Sequence, residues 1–98
     1  MKVHLARDAR NDLTQIALFI ARDNPTRALS FVTELEAVAI RIADTPRGFP
    51  LVPRYEQHAI RRRSRRGYSI LYADRSDALV VLRILGPAQD HDRIFGLK

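Results

Sequence analysis

Residues 78–85 read ALVVLRIL, an apolar run that is broken by a single charge at Arg83. Apolar side chains occupy both alternating sets of positions, which is typical of a strand that lies inside a sheet or is covered on both faces. Gly86-Pro87 ends the run, because proline has no N–H to donate to a neighbouring strand. We therefore expect a central strand here, with the rest of the sheet arranged around it.

Other segments are predicted to be the neighbours of this strand. Residues 60–63 form a candidate strand, residues 65–67 form a turn, and tyrosine and isoleucine alternate with other residues over 68–72. Residues 74–77 read DRSD and close the next hairpin. A short alternating strand over residues 2–6 must join the same sheet, since its backbone would otherwise remain unpaired.

Two helical patterns lie between the first strand and the rest of the sheet. Over residues 8–23, apolar side chains recur at spacings of three and four, and Asp8 is the expected N-cap. Asn24-Pro25 then supplies a capping side chain followed by a proline at the first helical position. The apolar stripe over residues 28–42 is the clearest periodicity in the chain. Prolines and a glycine make residues 45–58 a loop.

The order β-α-α-β-β-β predicts an α+β fold, in which an N-terminal strand precedes an antiparallel helical hairpin packed on a mainly antiparallel four-stranded sheet. A length of 98 residues suits one domain over residues 1–98. The absence of cysteine excludes disulfides, thiolate metal sites and a cysteine nucleophile. We predict no cofactor and no metal. No stretch approaches the roughly 20 apolar residues of a membrane span, and the N-terminus lacks a signal-peptide pattern, so we expect a cytoplasmic protein without a membrane partner.

An arginine cluster concentrates the positive charge of the chain in one segment. Five arginines fall within six positions, at Arg61, Arg62, Arg63, Arg65 and Arg66. The formal net charge is +6, so removing these five leaves +1 on the other residues. Such a segment attracts a phosphate backbone or an acidic protein surface, and we predict that it binds a target or partner. A solvated face in an arginine-rich chain is the alternative interpretation.

The residues near the cluster offer limited chemistry for cleaving RNA. That reaction needs a base, an acid and cations that hold the developing charge, and arginine supplies only the cations. Glu56 and His58, in the proline-rich loop, are the alternative acid–base pair. Arg83 must reach solvent, an acid such as Asp90, or a partner, and structural pairing is favoured. We predict no catalytic residue and keep Glu56, His58 and Arg83 as the alternative set.

Seven short motifs follow one another in a specific order and spacing. They are Ala9-x-x-Asp12-Leu13-x-x-Ile16, Asp23-Asn24-Pro25, Ala28-x-x-Phe31-x-x-x-Leu35, Pro46-x-Gly48, Tyr68-x-Ile70-x-Tyr72, residues 80–85 and Ala88-Gln89-Asp90. Together they resemble the RelE/ParE superfamily of bacterial toxins from toxin–antitoxin pairs. The resemblance covers nearly the full length and implies the same fold, a helical hairpin on an antiparallel sheet.

The superfamily divides by target. RelE-like ribonucleases carry an arginine just after the first tyrosine of the Tyr-x-x-x-Tyr strand, a basic residue after the last strand and a tyrosine near the C-terminus. This chain has Ser69, Pro87-Ala88 and Ile94-Phe95 in those places. It also has Gly86-Pro87 where ParE-like toxins commonly show His-Gly, so we assign no functional role to the side chains at the end of the last strand. The resemblance is closest to the ParE branch, which implies a toxin that inhibits DNA gyrase by binding and is neutralised by a cognate antitoxin.

Two other functions remain open. In the first, the chain is a ribosome-dependent mRNA endonuclease that grips the RNA backbone with arginines 61–63 and Arg83, while Glu56 or His58 transfers protons. In the second, it is a non-toxic nucleic-acid-binding module. The antitoxin implied by the resemblance would place a helix in an apolar groove of the helical hairpin or add a strand to a sheet edge. Its acidic residues would suit the arginine cluster.

Overall fold

The structure, a computed structural model, describes residues 1–87. Within them lie strand β1 (Lys2–Leu5), helices α1 (Arg7–Ala21) and α2 (Pro25–Ile42), and strands β2 (Ile60–Arg65), β3 (Tyr68–Asp74) and β4 (Ala78–Leu85). The strands form one sheet in the order β1-β4-β3-β2. β1 is parallel to β4, and the other pairs are antiparallel. The predicted α+β fold is confirmed. No helix in this part of the chain is both long enough and apolar enough to cross a membrane.

β4 lies inside the sheet, because β1 and β3 pair with its two edges. Leu79, Val81 and Ile84 belong to the core between the sheet and the helices. Leu85 belongs to a smaller cluster with Leu71 of β3, and Val52 and Tyr55 of the loop before β2 join that cluster. The face of β4 towards the helices is therefore buried, and its other face is covered at the C-terminal end of the strand, where Leu82 and Leu85 pack in the smaller cluster. Burial on both sides at this end explains why the sequence there is apolar at successive positions.

The helical hairpin buries its apolar stripe on the sheet. Phe31, Leu35 and Ala39 of α2 are almost fully buried in the core, as the sequence period predicts. The predicted cap of α2 is confirmed, since the Asn24 side-chain oxygen accepts a hydrogen bond from the N–H of Arg27 at 3.0 Å. Asn24 thus fixes the residue at which α2 begins.

The predicted cap of α1 is wrong. Ala6 occupies the N-cap position without a side-chain hydrogen bond, and Asp8 lies in the first turn of the helix. The N–H of Ala6 donates to the carbonyl of Val81 at 2.9 Å, so α1 starts directly where the pairing of β1 with β4 ends. In the first turn the Asp8 carboxylate still interacts favourably with the helix dipole.

The hairpin between β2 and β3 is tighter than the sequence suggested. Its two connecting residues, Arg66 and Gly67, both have positive φ, at 50° and 82°. Positive φ at both central positions defines the type I′ turn, whose twist matches that of antiparallel strands. β2 therefore continues to Arg65, two residues beyond the predicted strand. The loop before β2 contains one 3-10 turn over Glu56–His58.

A bidentate ion pair joins α1 to β4. Nε and Nη2 of Arg83 donate to the two carboxylate oxygens of Asp12 at 2.7 and 2.8 Å. The side chains of Arg83 and Asp12 are only 19% and 13% exposed. Hydrogen bonding to Asp12 raises the pKa of Arg83 and outweighs the opposing effect of burial. The predicted structural pairing of Arg83 is confirmed with Asp12 as the partner, whereas Asp90 lies outside the described residues.

The same carboxylate also completes the edge of β4. β1 pairs with β4 only as far as Val81, so the N–H of Ile84 has no strand neighbour on that side. Asp12 Oδ2 accepts this N–H at 2.8 Å. Asp12 therefore satisfies one buried guanidinium and one backbone donor, both of which would be costly to leave unpaired.

We predict that Asp12→Asn lowers the free energy of unfolding by roughly 2–3 kcal/mol, somewhat less than for a fully buried pair because both side chains keep some exposure. The neutral amide removes the hydrogen-bonded counterion of Arg83 and leaves Asp8 as the remaining carboxylate that favours its charge. Urea unfolding followed by circular dichroism measures the effect. Asp23→Asn, at an exposed position between the helices, is the matched control. Equal unfolding midpoints for the two variants would contradict the proposed role of the pair.

Candidate partner-binding surfaces

The arginine cluster lies along β2, the last strand of the sheet, which pairs with β3. The outer edge of β2 is bridged at Arg61 by Leu51 and, in the described part of the chain, is open beyond Arg62. Arg61, Arg63 and Arg65 lie opposite residues of β3 that face the helices, and Arg62 lies opposite Leu71 on the other face. This is the alternation expected of successive residues in a strand. The cluster is therefore two surfaces, with three arginines facing the helices and Arg62 facing away from them.

Phe49 holds two of the arginines on the helix side. Arg61 Nη1 donates to the Phe49 carbonyl at 2.7 Å, and the Arg63 guanidinium carbon lies 5.3 Å from the centroid of the Phe49 ring. Arg63 also donates to the carbonyl of Ser64. The Phe49 ring packs edge-on against Tyr72 at a centroid distance of 6.5 Å. These contacts restrict the rotation of two long side chains near the sheet edge.

Tyr72 anchors the loop that carries Phe49. Its hydroxyl donates to the carbonyl of Pro46 at 2.6 Å. Burial is the main cause that raises the pKa of Tyr72 to about 12, so the phenol remains a donor at neutral pH. On the same loop, Arg47 Nε lies 3.3 Å from a carboxylate oxygen of Asp74. The loop is thus tied to β3 at two points.

One carboxylate of α2 serves two arginines of the cluster. Glu34 Oε2 accepts from Arg65 Nε at 3.4 Å and from Arg66 Nε at 3.0 Å. Desolvation by itself would raise the pKa of Glu34, but the hydrogen bond from Arg66 and the charges of Arg66, Arg65 and Arg27 lower it overall. A single negative charge cannot neutralise two guanidinium groups, so this end of the cluster keeps a positive excess.

A cavity of about 400 Å³ opens between the end of α2 and β2. We call it the basic cavity, and its lining comprises Val38, Arg41, Ile42, Asp44, Thr45, Phe49, Arg63 and Arg65. Sequence reasoning missed the contribution of α2 to this site. The sequence did indicate a charged face of α2, because Glu34 and Arg41 lie seven residues apart and therefore on the same side of the helix.

The helical hairpin carries an apolar groove of about 710 Å³. Its apolar walls come from Leu5 and from both helices, and include Leu13, Ala17, Leu18, Ala21, Ala28, Leu29 and Val32. Leu18 and Leu29 are 58% and 76% exposed, which is unusual for side chains of their size on a small protein. Arg10 and Glu36 also line the groove, and we call it the apolar groove below.

The alternative catalytic residues are not brought together. Glu56 and His58 lie in the exposed 3-10 turn, and within residues 1–87 neither forms a hydrogen bond or ion pair with an arginine. Arg83 is bound to Asp12. Ser69, which takes the place of the first ribonuclease arginine, is buried at 8% exposure, while the other two compared positions fall wholly or partly outside the described residues. Among residues 1–87 no group of three or more His, Asp or Glu side chains could hold a metal ion.

Comparison with known proteins places the chain among bacterial toxins. The family model for the ParE toxin of the type II toxin–antitoxin system parDE matches residues 3–91. A chain of the chromosomal ParDE system from P. aeruginosa superposes with a TM-score of 0.69 at 21% identity, over 86% of this chain and 92% of that one. A chain of the toxin–antitoxin complex RelBE2 from Mycobacterium tuberculosis gives 0.66 at 22% identity, over 90% and 92%. No curated protein sequence matches.

We predict that Glu34 makes the stability of the protein depend on acidic pH. Because the folded-state pKa of Glu34 lies below its ordinary value of 4.5, the stabilisation is fully present above that value and is lost as the pH falls through the folded-state pKa. Urea midpoints of the wild type and of Glu34→Gln should therefore differ at neutral pH and converge as the pH falls below 4.5. Glu36→Gln, an exposed position on the same helix, is the control. A Glu34→Gln profile parallel to that of the wild type would contradict the assignment.

Proposed function

Because the chain belongs to the ParE family of toxins from type II toxin–antitoxin systems, we propose that it inhibits DNA gyrase by binding and is held inactive by a cognate antitoxin. The observation that carries this proposal is the match of the ParE model to residues 3–91, nearly the whole chain. The protein would act in the cytoplasm, where gyrase and its DNA are found. The likeness to a RelBE2 chain supports the shared fold and does not decide the target.

The side-chain geometry favours binding over RNA cleavage. Cleavage requires an acid, a base and a cation around one phosphate. Here Arg83 is committed to Asp12, and Glu56 and His58 lie on an exposed turn with no hydrogen bond or ion pair to an arginine among residues 1–87. The arginine cluster, in contrast, is displayed on an edge strand and its turn, where a large partner has access to it. We propose that Arg61, Arg62, Arg63, Arg65 and Arg66, on the two faces of β2 and its turn, contact the target or the antitoxin.

A gyrase supercoiling assay tests the target. We expect the purified chain to abolish supercoiling of relaxed plasmid, and addition of the antitoxin to restore it. Arg62→Glu should raise the concentration needed for half inhibition by roughly tenfold, equivalent to about 1.4 kcal/mol, because it reverses a charge on the contact surface. Arg75→Glu, in the exposed turn between β3 and β4, is the charge-matched control and should behave as the wild type.

The outcomes of this assay separate the three candidate functions. No inhibition at excess protein, together with codon-positioned cuts in translated mRNA, would establish the ribonuclease. No inhibition, no cuts and no growth arrest on expression without antitoxin would leave a non-toxic binding module. Inhibition to the same extent by Arg62→Glu and the wild type would retain gyrase as the target but remove Arg62 from the contact surface.

We propose that the apolar groove receives an amphipathic helix of the antitoxin. The groove runs between α1 and α2, and Leu18 and Leu29, the most exposed leucines among residues 1–87, line it. An amphipathic helix recognises such a groove through apolar side chains at helical spacing. Burial of Leu18 and Leu29 against the partner would remove from water the most exposed apolar side chains of the groove, which favours binding.

Leu29→Glu tests this docking site. It should weaken antitoxin binding by roughly 30-fold or more, the range for an apolar anchor residue, because the charge would be desolvated in the complex. Ile40→Glu is the matched control, since Ile40 is 61% exposed on α2 but does not line the groove. Isothermal titration calorimetry with the cognate antitoxin measures both affinities. Equal losses for the two variants would reject the groove as the docking site.

A further inference from the structure

The basic cavity holds more positive charge than its own acids neutralise. Arg41, Arg63 and Arg65 line the cavity with one carboxylate, that of Asp44. Arg65 also shares the Glu34 carboxylate with Arg66, so a positive excess remains. Within residues 1–87, the Arg41 side chain forms no hydrogen bond or ion pair, and Arg63 is bonded only to the carbonyl of Ser64. Each guanidinium has five N–H donors, so most of the donors of Arg41 and Arg63 remain available to an anion.

The basic cavity is preorganised, because contacts within the protein already restrain one of its arginines. The Arg63 guanidinium lies over the Phe49 ring, and the backbone carbonyl of Phe49 accepts a hydrogen bond from Arg61. The hydrogen bond from Tyr72 to Pro46 ties the loop that carries Phe49 to β3. Cation–π contact and hydrogen bonds thus restrain the guanidinium of Arg63 at the cavity wall. A side chain that is already ordered loses less conformational entropy when it binds.

The arrangement of the cations is linear. Arg63 and Arg65 are alternate residues of β2, which places their backbones about 6.6–6.8 Å apart along one face of the strand. Arg66, in the turn that follows, donates to the same Glu34 carboxylate as Arg65. Arg41 approaches from the facing end of α2. A row of cations with an opposing cation suits an extended polyanion that passes between them better than a single acidic side chain.

We propose that the basic cavity binds the phosphate backbone of nucleic acid, with Arg41 and Arg63 donating to phosphate oxygens and Arg65 contributing charge from the edge of the row. Arginine matches phosphate through two parallel N–H donors, and backbone contacts need no apolar burial. A protein partner with an apolar anchor residue would bind instead in the apolar groove, which lies on another face of α2. The site goes beyond the proposed gyrase inhibition, since it concerns direct contact of this chain with nucleic acid.

The test is fluorescence anisotropy of a labelled single-stranded DNA 20-mer titrated with the purified full chain at several salt concentrations. Each phosphate contact contributes about 0.7 to the slope of log affinity against log salt for single strands. The double variant Arg41→Gln/Arg63→Gln should therefore reduce the magnitude of the slope by roughly 1.4. The control Arg22→Gln/Arg75→Gln removes two exposed arginines elsewhere and should leave the slope unchanged. The single variant Arg41→Gln, at an exposed position, should give half the effect even if loss of Arg63 disturbs the loop.

Three results would overturn the proposal. They are no binding at low salt, equal loss of slope in the double variant and its control, and displacement of DNA by poly-glutamate of equal charge at the same concentration as by unlabelled DNA. The last result would make the cavity a site for acidic protein segments. Because the assay contains no gyrase and no antitoxin, its failure leaves the proposed toxin function standing, and loss of gyrase inhibition leaves this result unaffected.

Discussion

The hydrogen-bonded ion pair of Asp12 with Arg83 is the interaction on which the architecture depends. It fixes α1 against the central strand of the sheet at the point where β1 has ended. A guanidinium inside an apolar strand would be costly to bury alone, and a backbone N–H at that edge would lack a partner. The Asp12 carboxylate pairs with both the Arg83 guanidinium and the N–H of Ile84. It reaches both because α1 starts immediately after β1. The early start of α1 at Arg7 is therefore part of the same solution.

The central position of β4 also explains how the charges of the chain are distributed. β4 lies inside the sheet against α1, and its one charge, on Arg83, is neutralised internally by Asp12. β2, at the other edge of the sheet, is free to carry five arginines between its second residue and its turn. The fold thus separates a paired structural arginine from a group that retains excess charge. The same residue type has opposite roles because one site is desolvated and the other faces water.

α2 presents different chemistry on its two flanks. The flank towards α1 contributes Leu29 and Val32 to the apolar groove, and the flank towards β2 contributes Glu34 and Arg41 to the basic surfaces. An apolar groove and a cationic cavity favour different ligands, since one gains from burial of apolar area and the other from charge. A single small domain can in this way engage an antitoxin and an anionic partner without overlap of the two sites.

The sequence by itself determined the element types, their order and the α+β class, because helix stripes, the Asn24-Pro25 start and the apolar run of residues 78–85 are local patterns. It also indicated the ParE family, since ordered motifs survive along the chain. Helix and strand ends were less accurate. Ala6, not Asp8, caps α1, because the pairing of Ala6 with Val81 sets where the helix begins.

Only the tertiary structure decided which charges meet. Asp12 and Arg83 are 71 residues apart in sequence, and Glu34 lies more than 30 residues from the arginines that it binds. No local period relates such positions, since their proximity arises from the sheet order and the packing of the helices on it. The physical reason is that hydrophobic periodicity specifies which face of an element is buried, whereas the pairing of charges depends on the register between elements that are distant along the chain.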